Sequence, residues 1–146
     1  MDLLTALKIS ASGLAAQRTR LNVLSSNLAN ANTTHNADGT GPYRRKDPIF
    51  QEVRPDSFDK TLDKASKKIS TVQVSDIVED QTPGPRVYDP NNPDADKEGF
   101  VNMPNVNSVS ELTDILQTTR SYEANVTAMH AAKEMLNAAL SIGRNN

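Results

Sequence analysis

Leucines recur at heptad spacing near the start of the chain: Leu7, Leu14, Leu21 and Leu28 are seven residues apart. This is the repeat of a helix that packs along one seam against another helix. Residues 2–31 contain no proline and a single glycine, Gly13, and Asp2 is a suitable N-cap. The pattern predicts one long helix whose seam has a companion column: Leu4, Ala11, Arg18 and Ser25.

The end of the chain has the same spacing. Its heptad column is Ile115, Tyr122, Met129 and Leu136, and residues 109–142 contain no proline. Ser108 and Glu111 have the spacing of a capping box, which predicts a helix start at Ser108. The sequence therefore predicts a second long helix with a companion column of its own: Leu112, Thr119, Val126, Lys133 and Leu140.

The middle of the chain has a different composition. Residues 33–104 contain all eight prolines and four of the six glycines, so this segment cannot be helical throughout. Three runs have the residue types of strands: 43–53, 71–79 and 86–88. Residues 56–70 suit a short surface helix and a linker equally well.

These patterns together predict an α+β fold. Long N- and C-terminal heptad helices pack as a coiled-coil-like pair, with a small irregular β-rich insert between them. The predicted division is residues 1–32 for the N-terminal helix, 33–104 for the insert and 105–146 for the C-terminal helix.

Large apolar side chains are scarce. Of the 146 residues, 36% are hydrophobic, with three Phe, three Tyr and no Trp, which predicts a thin core. We therefore expect the terminal helices to be poorly ordered alone and to fold on association with neighbouring molecules. The alternative is a closed monomer in which the two helices bury their seams against each other.

Charge and cysteine content exclude several classes of function. The 16 basic and 18 acidic residues give a net charge of -2, without the single-signed field that attracts nucleic acid. The chain has no cysteine, which excludes disulfides and thiolate chemistry. The first residues lack a basic stretch, and Lys8, Ser10 and Ser12 interrupt the apolar ones, so we expect neither a cleaved signal peptide nor a membrane span.

No catalytic or metal-binding constellation stands out. The run Arg44, Arg45 and Lys46 is followed closely by acidic residues, which favours a solvated face or an ion pair with an acidic neighbouring subunit over a nucleic-acid site. The acidic residues at 94, 96 and 98 imitate a calcium loop but lack its final Glu, so a polar turn is preferred. His35 and His130 have no second His or Cys nearby in the sequence. We expect no enzyme activity, cofactor, metal or small-molecule substrate.

One motif carries a family resemblance. The first helix closes with the pattern Ser25-x-Asn27-Leu28-Ala29-Asn30-x-x-Thr33, which resembles the N-terminal signature of bacterial flagellar rod, hook and hook-associated axial proteins. Further stretches resemble the proximal rod branch of that family: GPYRRK at 41–46, DP at 89–90 with DAD at 94–96, GFVNMPNVN at 99–107 and RSYEAN at 120–125.

The resemblance implies a non-catalytic building block of the drive shaft that crosses the periplasm. Such a subunit is exported by the flagellar type III apparatus without cleavage, assembles with copies of itself and other rod proteins into a helical tube, and transmits torque. It implies no nucleic-acid partner and no lipid anchor. The candidate assembly-interface residues are Leu7, Leu14, Leu21, Leu28, Asn27, Asn30, Ile115, Tyr122, Met129 and Leu136.

One alternative function remains open. A peripheral membrane-binding or adaptor protein could place an amphipathic N-terminal helix on lipid. The Ser, Thr and Gln residues scattered around that helix, and its few basic residues, argue against this.

Overall fold

The computed structural model describes residues 3–36, 41–53 and 70–144. It contains, in chain order, α1 (Leu3–Ala29), β1 (Lys46–Val53), β2 (Thr71–Glu79), β3 (Arg86–Tyr88), β4 (Phe100–Asn102) and α2 (Ser108–Arg144). The predicted α+β fold, two long terminal helices around a small insert of strands, is confirmed. The undecided segment 56–70 lies, apart from Ser70, outside the described residues.

The two helices form an antiparallel pair within the chain. Near one end, Nδ2 of Asn27 lies 3.1 Å from Oε2 of Glu111. Further along, a Cβ atom on Gly13 would lie 3.3 Å from Nδ2 of Asn125. The two contacts are fourteen residues apart on each helix, and the residue numbers fall along α1 where they rise along α2. The helices therefore pair at a register of two whole heptads, as the heptad spacing predicts.

The columns that face each other differ from the predicted ones. The register places Ala6, Gly13, Arg20 and Asn27 on α1 opposite Ala132, Asn125, Thr118 and Glu111 on α2. Glu111, Thr118 and Ala132 are nearly fully buried. The predicted companion columns are wrong, because Leu4 on α1 and Leu112 and Leu140 on α2 are exposed. Small side chains occupy much of the seam because they let the two backbones approach closely, as Gly13 does.

A second face of α1 packs on the β1–β2 hairpin. The backbone N–H of Val72 donates a hydrogen bond to Oγ of Ser12, at 3.4 Å. Successive helical residues are about 100° apart around the axis. Ser12 therefore faces the hairpin, Gly13 faces α2, and Leu14 lies on the flank away from the hairpin. The buried apolar side chains of the described residues are Ala16, Val23, Leu24, Ala31, Tyr43, Val101 and Ala132.

The strands form two small antiparallel sheets. β1 pairs with β2 from Lys46↔Glu79 to Val53↔Thr71, with a bulge between Ile49 and Phe50. β3 pairs with β4. The three predicted strand runs are confirmed, although the first begins at Lys46, three residues later than expected. Strand β4, which is only three residues long, was not predicted from the sequence.

Glycine is required where the second sheet meets the preceding turn. A Cβ atom on Gly84 would lie only 1.9 Å from the carbonyl oxygen of Met103. The neighbouring contact is a hydrogen bond from the N–H of Met103 to the carbonyl of Pro85, at 2.9 Å. The backbone segments around Gly84 and Met103 can lie this close only because Gly84 has no side chain.

The helix start of α2 differs from the predicted capping box. Oδ1 of Asn107 accepts hydrogen bonds from the N–H groups of Val109 and Ser110, at 3.0 and 3.2 Å. Asn107 is therefore the N-cap. Glu111 does not reach back to the helix start, because its side chain is buried against Asn27 and Arg45.

α2 extends beyond the start of α1. It has 37 residues against 27 in α1. Leu3 is ten residues before Gly13 and Met135 is ten residues after Asn125, so Leu3 lies opposite Met135. Residues 136–144 therefore project past α1 by about 13 Å, and we call this segment the overhang.

Candidate assembly interface

Asn27 is the central residue where the two helices and the hairpin meet. Its side chain is fully buried. Nδ2 donates to the carbonyl of Lys46 at 2.8 Å and to Oε2 of Glu111 at 3.1 Å. Oδ1 accepts from the N–H of Lys46 and from the hydroxyl of Tyr43, both at 2.9 Å. All four hydrogen-bonding positions of the amide are used, so this one side chain ties α1 to β1 and to α2.

Glu111 brings a buried charge into the same cluster. Its side chain is 1% exposed, and its Oε1 accepts from Nε of Arg45 at 2.5 Å. Arg45 also pairs with Asp47. Burial lowers the pKa of Arg45, but the hydrogen bond and charge of Glu111, together with Asp47, outweigh it and leave the pKa raised. We call Asn27, Tyr43, Arg45 and Glu111 the Asn27 node.

Only one member of this node, Asn27, is among the residues predicted from the sequence to form the interface. Asn27 was singled out through the family motif, whereas Glu111 was assigned to a cap and Arg45 to an exposed basic run. Two members of this run pair within the chain, Arg45 with Glu111 and Lys46 with Glu79 at 3.5 Å. Local sequence carried no signal for Glu111, because its spacing from Ser108 is that of a capping residue.

Asn30 has a local role. Its Nδ2 donates to the carbonyl of Ser26 at 2.8 Å, and its Oδ1 accepts from the hydroxyl of Thr33 at 3.2 Å. These bonds close the end of α1 and begin the turn that follows. Asn27 and Asn30 of the same motif therefore do different things in the fold.

The eight apolar candidate residues are all half-buried. On α1 they follow the flank away from the hairpin, and on α2 each lies one turn after a residue of the seam. They line the groove between the helices without being closed off from solvent. The residues are Leu7, Leu14, Leu21, Leu28, Ile115, Tyr122, Met129 and Leu136.

Apolar side chains are also exposed at both ends of α2. Val109, Leu112 and Leu116 are spaced by three and four residues, so they form a stripe on one face. At the other end, Leu140 and Ile142 of the overhang are 64% and 69% exposed. The hairpin adds a third exposed apolar set: Ile49, Phe50, Ile77 and Val78.

The described residues expose apolar side chains on α2 and on the hairpin, and leave the apolar candidate residues of both helices half-buried. Exposed apolar patches of this kind mark protein–protein contact sites.

The other sequence candidates have structural roles. Oδ1 of Asp96 accepts from the N–H groups of Glu98 and Phe100, both at 2.9 Å, so the calcium-like stretch is a polar turn. The backbone hydrogen bond from Phe100 is the largest cause of a lowered Asp96 pKa. His35 lies 4.0 Å from Asp94. Within residues 3–36, 41–53 and 70–144, no group of three or more His, Cys, Asp or Glu side chains could hold a metal ion.

Neither of the two described helices has a stretch long and apolar enough to cross a membrane. The alternative of an N-terminal helix lying on lipid also finds no support. Two faces of α1 are occupied by α2 and by the hairpin, as the contacts of Gly13 and Ser12 show.

Comparison with known families identifies both ends of the chain. Residues 7–35 match the model of the family described as "Flagella basal body rod protein". Residues 97–142 match the model described as "Flagellar basal body rod FlgEFG protein C-terminal". These two matches cover most of α1 and α2, the elements that the Asn27 node joins.

Individual relatives match along almost the whole chain. The flagellar basal-body rod protein FlgC of Bacillus subtilis is 46% identical over 145 residues, covering 94% of this chain and 96% of the relative. FlgC of Escherichia coli O6:H1 is 40% identical, and the match covers 99% of this chain and 100% of the relative. FlgC of Borreliella burgdorferi is 37% identical, and the match covers 97% of this chain and 98% of the relative. The chain therefore belongs to the FlgC family of flagellar basal-body rod proteins and is a structural subunit of the basal-body rod.

Proposed function

We propose that this subunit is a non-catalytic segment of the drive shaft that spans the periplasm and transmits torque. It assembles into the helical tube with copies of itself and with other flagellar axial proteins. The flagellar type III apparatus exports it without cleavage of a signal peptide. In this proposal the terminal segments 1–32 and 105–146, which contain α1 and α2, form the inner layer of the tube, and the insert 33–104 lies outside them.

The apolar surface of the helix pair is the observation that carries the proposal. The stripe of Leu112 and Leu116 at one end of α2 and the pair Leu140 and Ile142 at the other leave apolar surface in contact with water, and contiguous apolar surface of this kind marks protein–protein contacts. Neighbours in a tube would cover these side chains and would close the half-buried groove of the candidate residues. An open assembly forms when the surface of one subunit fits a different surface of the next, and the apolar sets at opposite ends of α2 provide two different surfaces.

The overhang is proposed to bind an α-helix of a neighbouring rod subunit. Leu136 continues the half-buried column of α2 beside α1, and Leu140 lies one turn beyond it, because residues four apart lie on one side of a helix. The same kind of partner that covers this face within the chain, a helix with small and apolar side chains, therefore fits its continuation. The contact is a continuation of the α1–α2 interface.

The test uses a strain whose own gene for this subunit is replaced by variants. Leu140→Glu is expected to abolish motility and to remove the subunit from isolated basal bodies, because it places a charge in an apolar contact between subunits. Leu140→Met is the matched control and is expected to keep both. Normal motility and normal recovery of the subunit with Leu140→Glu would contradict the proposal.

A further inference from the structure

We propose that the Asn27 node is a register lock: it selects one of several seven-residue alignments of α1 on α2, and thereby keeps the overhang uncovered. The node can select one alignment because other facing residues, such as Gly13 and Ala132, would tolerate a shift by seven residues.

The facing columns permit a slide. If α1 moved seven residues toward the C-terminal end of α2, Gly13 would face Ala132 and Asn27 would face Thr118. Small or polar side chains would still meet at both positions. Heptad pairs with permissive columns slip in this way unless a polar pair fixes one alignment.

The length of the helix pairing does not oppose the slide. It would move the start of α1 from a position opposite Met135 to one opposite Ile142. Residues 136–142 of α2 would then be covered and residues 109–115 uncovered, so α1 would face an equal length of α2 in both alignments. Since burial along the pair does not by itself select the observed register, the selection needs another cause.

The node supplies that cause. A slide would take Asn27 away from Glu111, a carboxylate that is 1% exposed, and from the Lys46 backbone to which both ends of its amide bond. Asn27 is fully buried, and a buried amide that loses its hydrogen-bonding partners is strongly unfavourable. The same loss does not arise in the observed alignment.

A slide in the opposite direction is excluded for a different reason. It would bring Arg20 opposite Glu111 and so could keep an ion pair, but it would uncover seven more residues of α2. Apolar burial therefore opposes one slide and the node opposes the other. Only the observed alignment satisfies both.

Cysteine pairs can report the register directly, because the chain has no cysteine of its own. Gly13→Cys with Asn125→Cys joins the helices in the observed register, and Gly13→Cys with Ala132→Cys joins them after the slide. Each pair is made in the wild-type background, with Glu111→Leu, with Glu111→Gln and with the control Glu123→Leu, an exposed acidic residue of the same helix. Disulfides formed in cells and in isolated basal bodies are read on non-reducing gels.

The wild-type chain, Glu111→Gln and Glu123→Leu are expected to form the 13–125 disulfide. Glu111→Leu is expected to shift the ratio of the two disulfides toward 13–132 by about tenfold or more, the effect of losing one hydrogen bond to a charged group. Retention of the 13–125 disulfide alone in Glu111→Leu would overturn the proposal. Loss of both disulfides would also overturn it, since the node would then be required for pairing itself instead of choosing between registers.

The register measurement is separate from the proposed function. A shifted register together with normal incorporation would leave the lock intact and contradict the role given to the overhang. An unchanged register together with loss of the subunit from basal bodies would contradict the lock and leave the role of the overhang intact.

Discussion

The side chains of Asn27 and Glu111 are 84 residues apart in the chain and meet at 3.1 Å between Nδ2 and Oε2. Both are almost completely buried. A carboxylate in such a place is tolerated only with hydrogen-bonding partners, and here Asn27 and Arg45 provide them. This contact joins the segment that begins the chain to the segment that ends it, so both ends must be present before the node can form.

Replacing Asn27 should be far more damaging than replacing its motif neighbour Asn30. Asn27→Ala removes four hydrogen bonds and leaves Glu111 with one fewer partner, which should cost about 3 kcal/mol or more. Asn30→Ala removes only local bonds at the end of α1 and should cost about 1 kcal/mol. The measurement is motility across growth temperatures in a complemented strain. Equal losses in the two variants would show that the node is not the critical part of the motif.

Charges in the helix groove should prevent assembly. Leu21 and Met129 are half-buried candidate residues on α1 and α2. Leu21→Asp and Met129→Asp are each expected to abolish incorporation and motility while the subunit stays soluble, because each places a carboxylate in an apolar contact. Leu21→Met and Met129→Leu are the controls and should assemble. Wild-type motility in either Asp variant would show that the groove is not an interface.

The hydrophobic pattern predicted both helices and the seven-residue spacing of the contacts between them. It did not predict which columns face each other. The leucine columns were predicted to form the seam. The seam instead lies where Gly13 permits close approach and where Asn27 meets Glu111. Periodicity fixes the spacing of a seam and leaves its angular position to the size and polarity of individual side chains.

The node could not be predicted from local sequence. Glu111 has the spacing of a capping residue relative to Ser108, and only the packing of α1 and Arg45 against it reveals another role. Strand β4 escaped for a related reason. Its three residues acquire their extended conformation by pairing with β3, and so short a run carries little strand signal of its own.

Gly84→Ala should disrupt the turn that precedes β3. The added Cβ would lie 1.9 Å from the carbonyl oxygen of Met103, a distance that forces the two backbone segments apart. Overpacking of this kind costs about 1–3 kcal/mol. The measurement is hydrogen exchange at the N–H of Met103, which is expected to speed up as its bond to Pro85 weakens. Gly143→Ala is the control, since nothing lies within 4 Å of that position.

The turn around Asp96 should loosen in acid. The N–H of Phe100, with further contributions from Glu98 and Arg86, holds the pKa of this exposed carboxyl below its ordinary value. A lowered pKa in the folded state means that the stabilisation is present above the unfolded pKa of about 3.9 and is lost as the pH falls through the folded pKa. The protection of the Phe100 amide, relative to its intrinsic exchange rate at each pH, should therefore decrease below about pH 4. Asp96→Asn should lack this pH dependence, and an identical profile in that variant would contradict the assignment.

The isolated subunit should have less helix than the assembled one. Few apolar side chains of the described residues are fully buried, so the helix pair has little packing to offset the conformational entropy that folding removes. Circular dichroism of the purified chain in dilute solution is expected to show a helical signal well below that of α1 and α2 together, and a broad thermal transition without cooperativity. The same measurement on isolated basal-body rods is the reference for full helicity. A sharp, cooperative transition with the full helical signal in the dilute chain would identify a closed monomer, and the helices would then need no neighbours to fold.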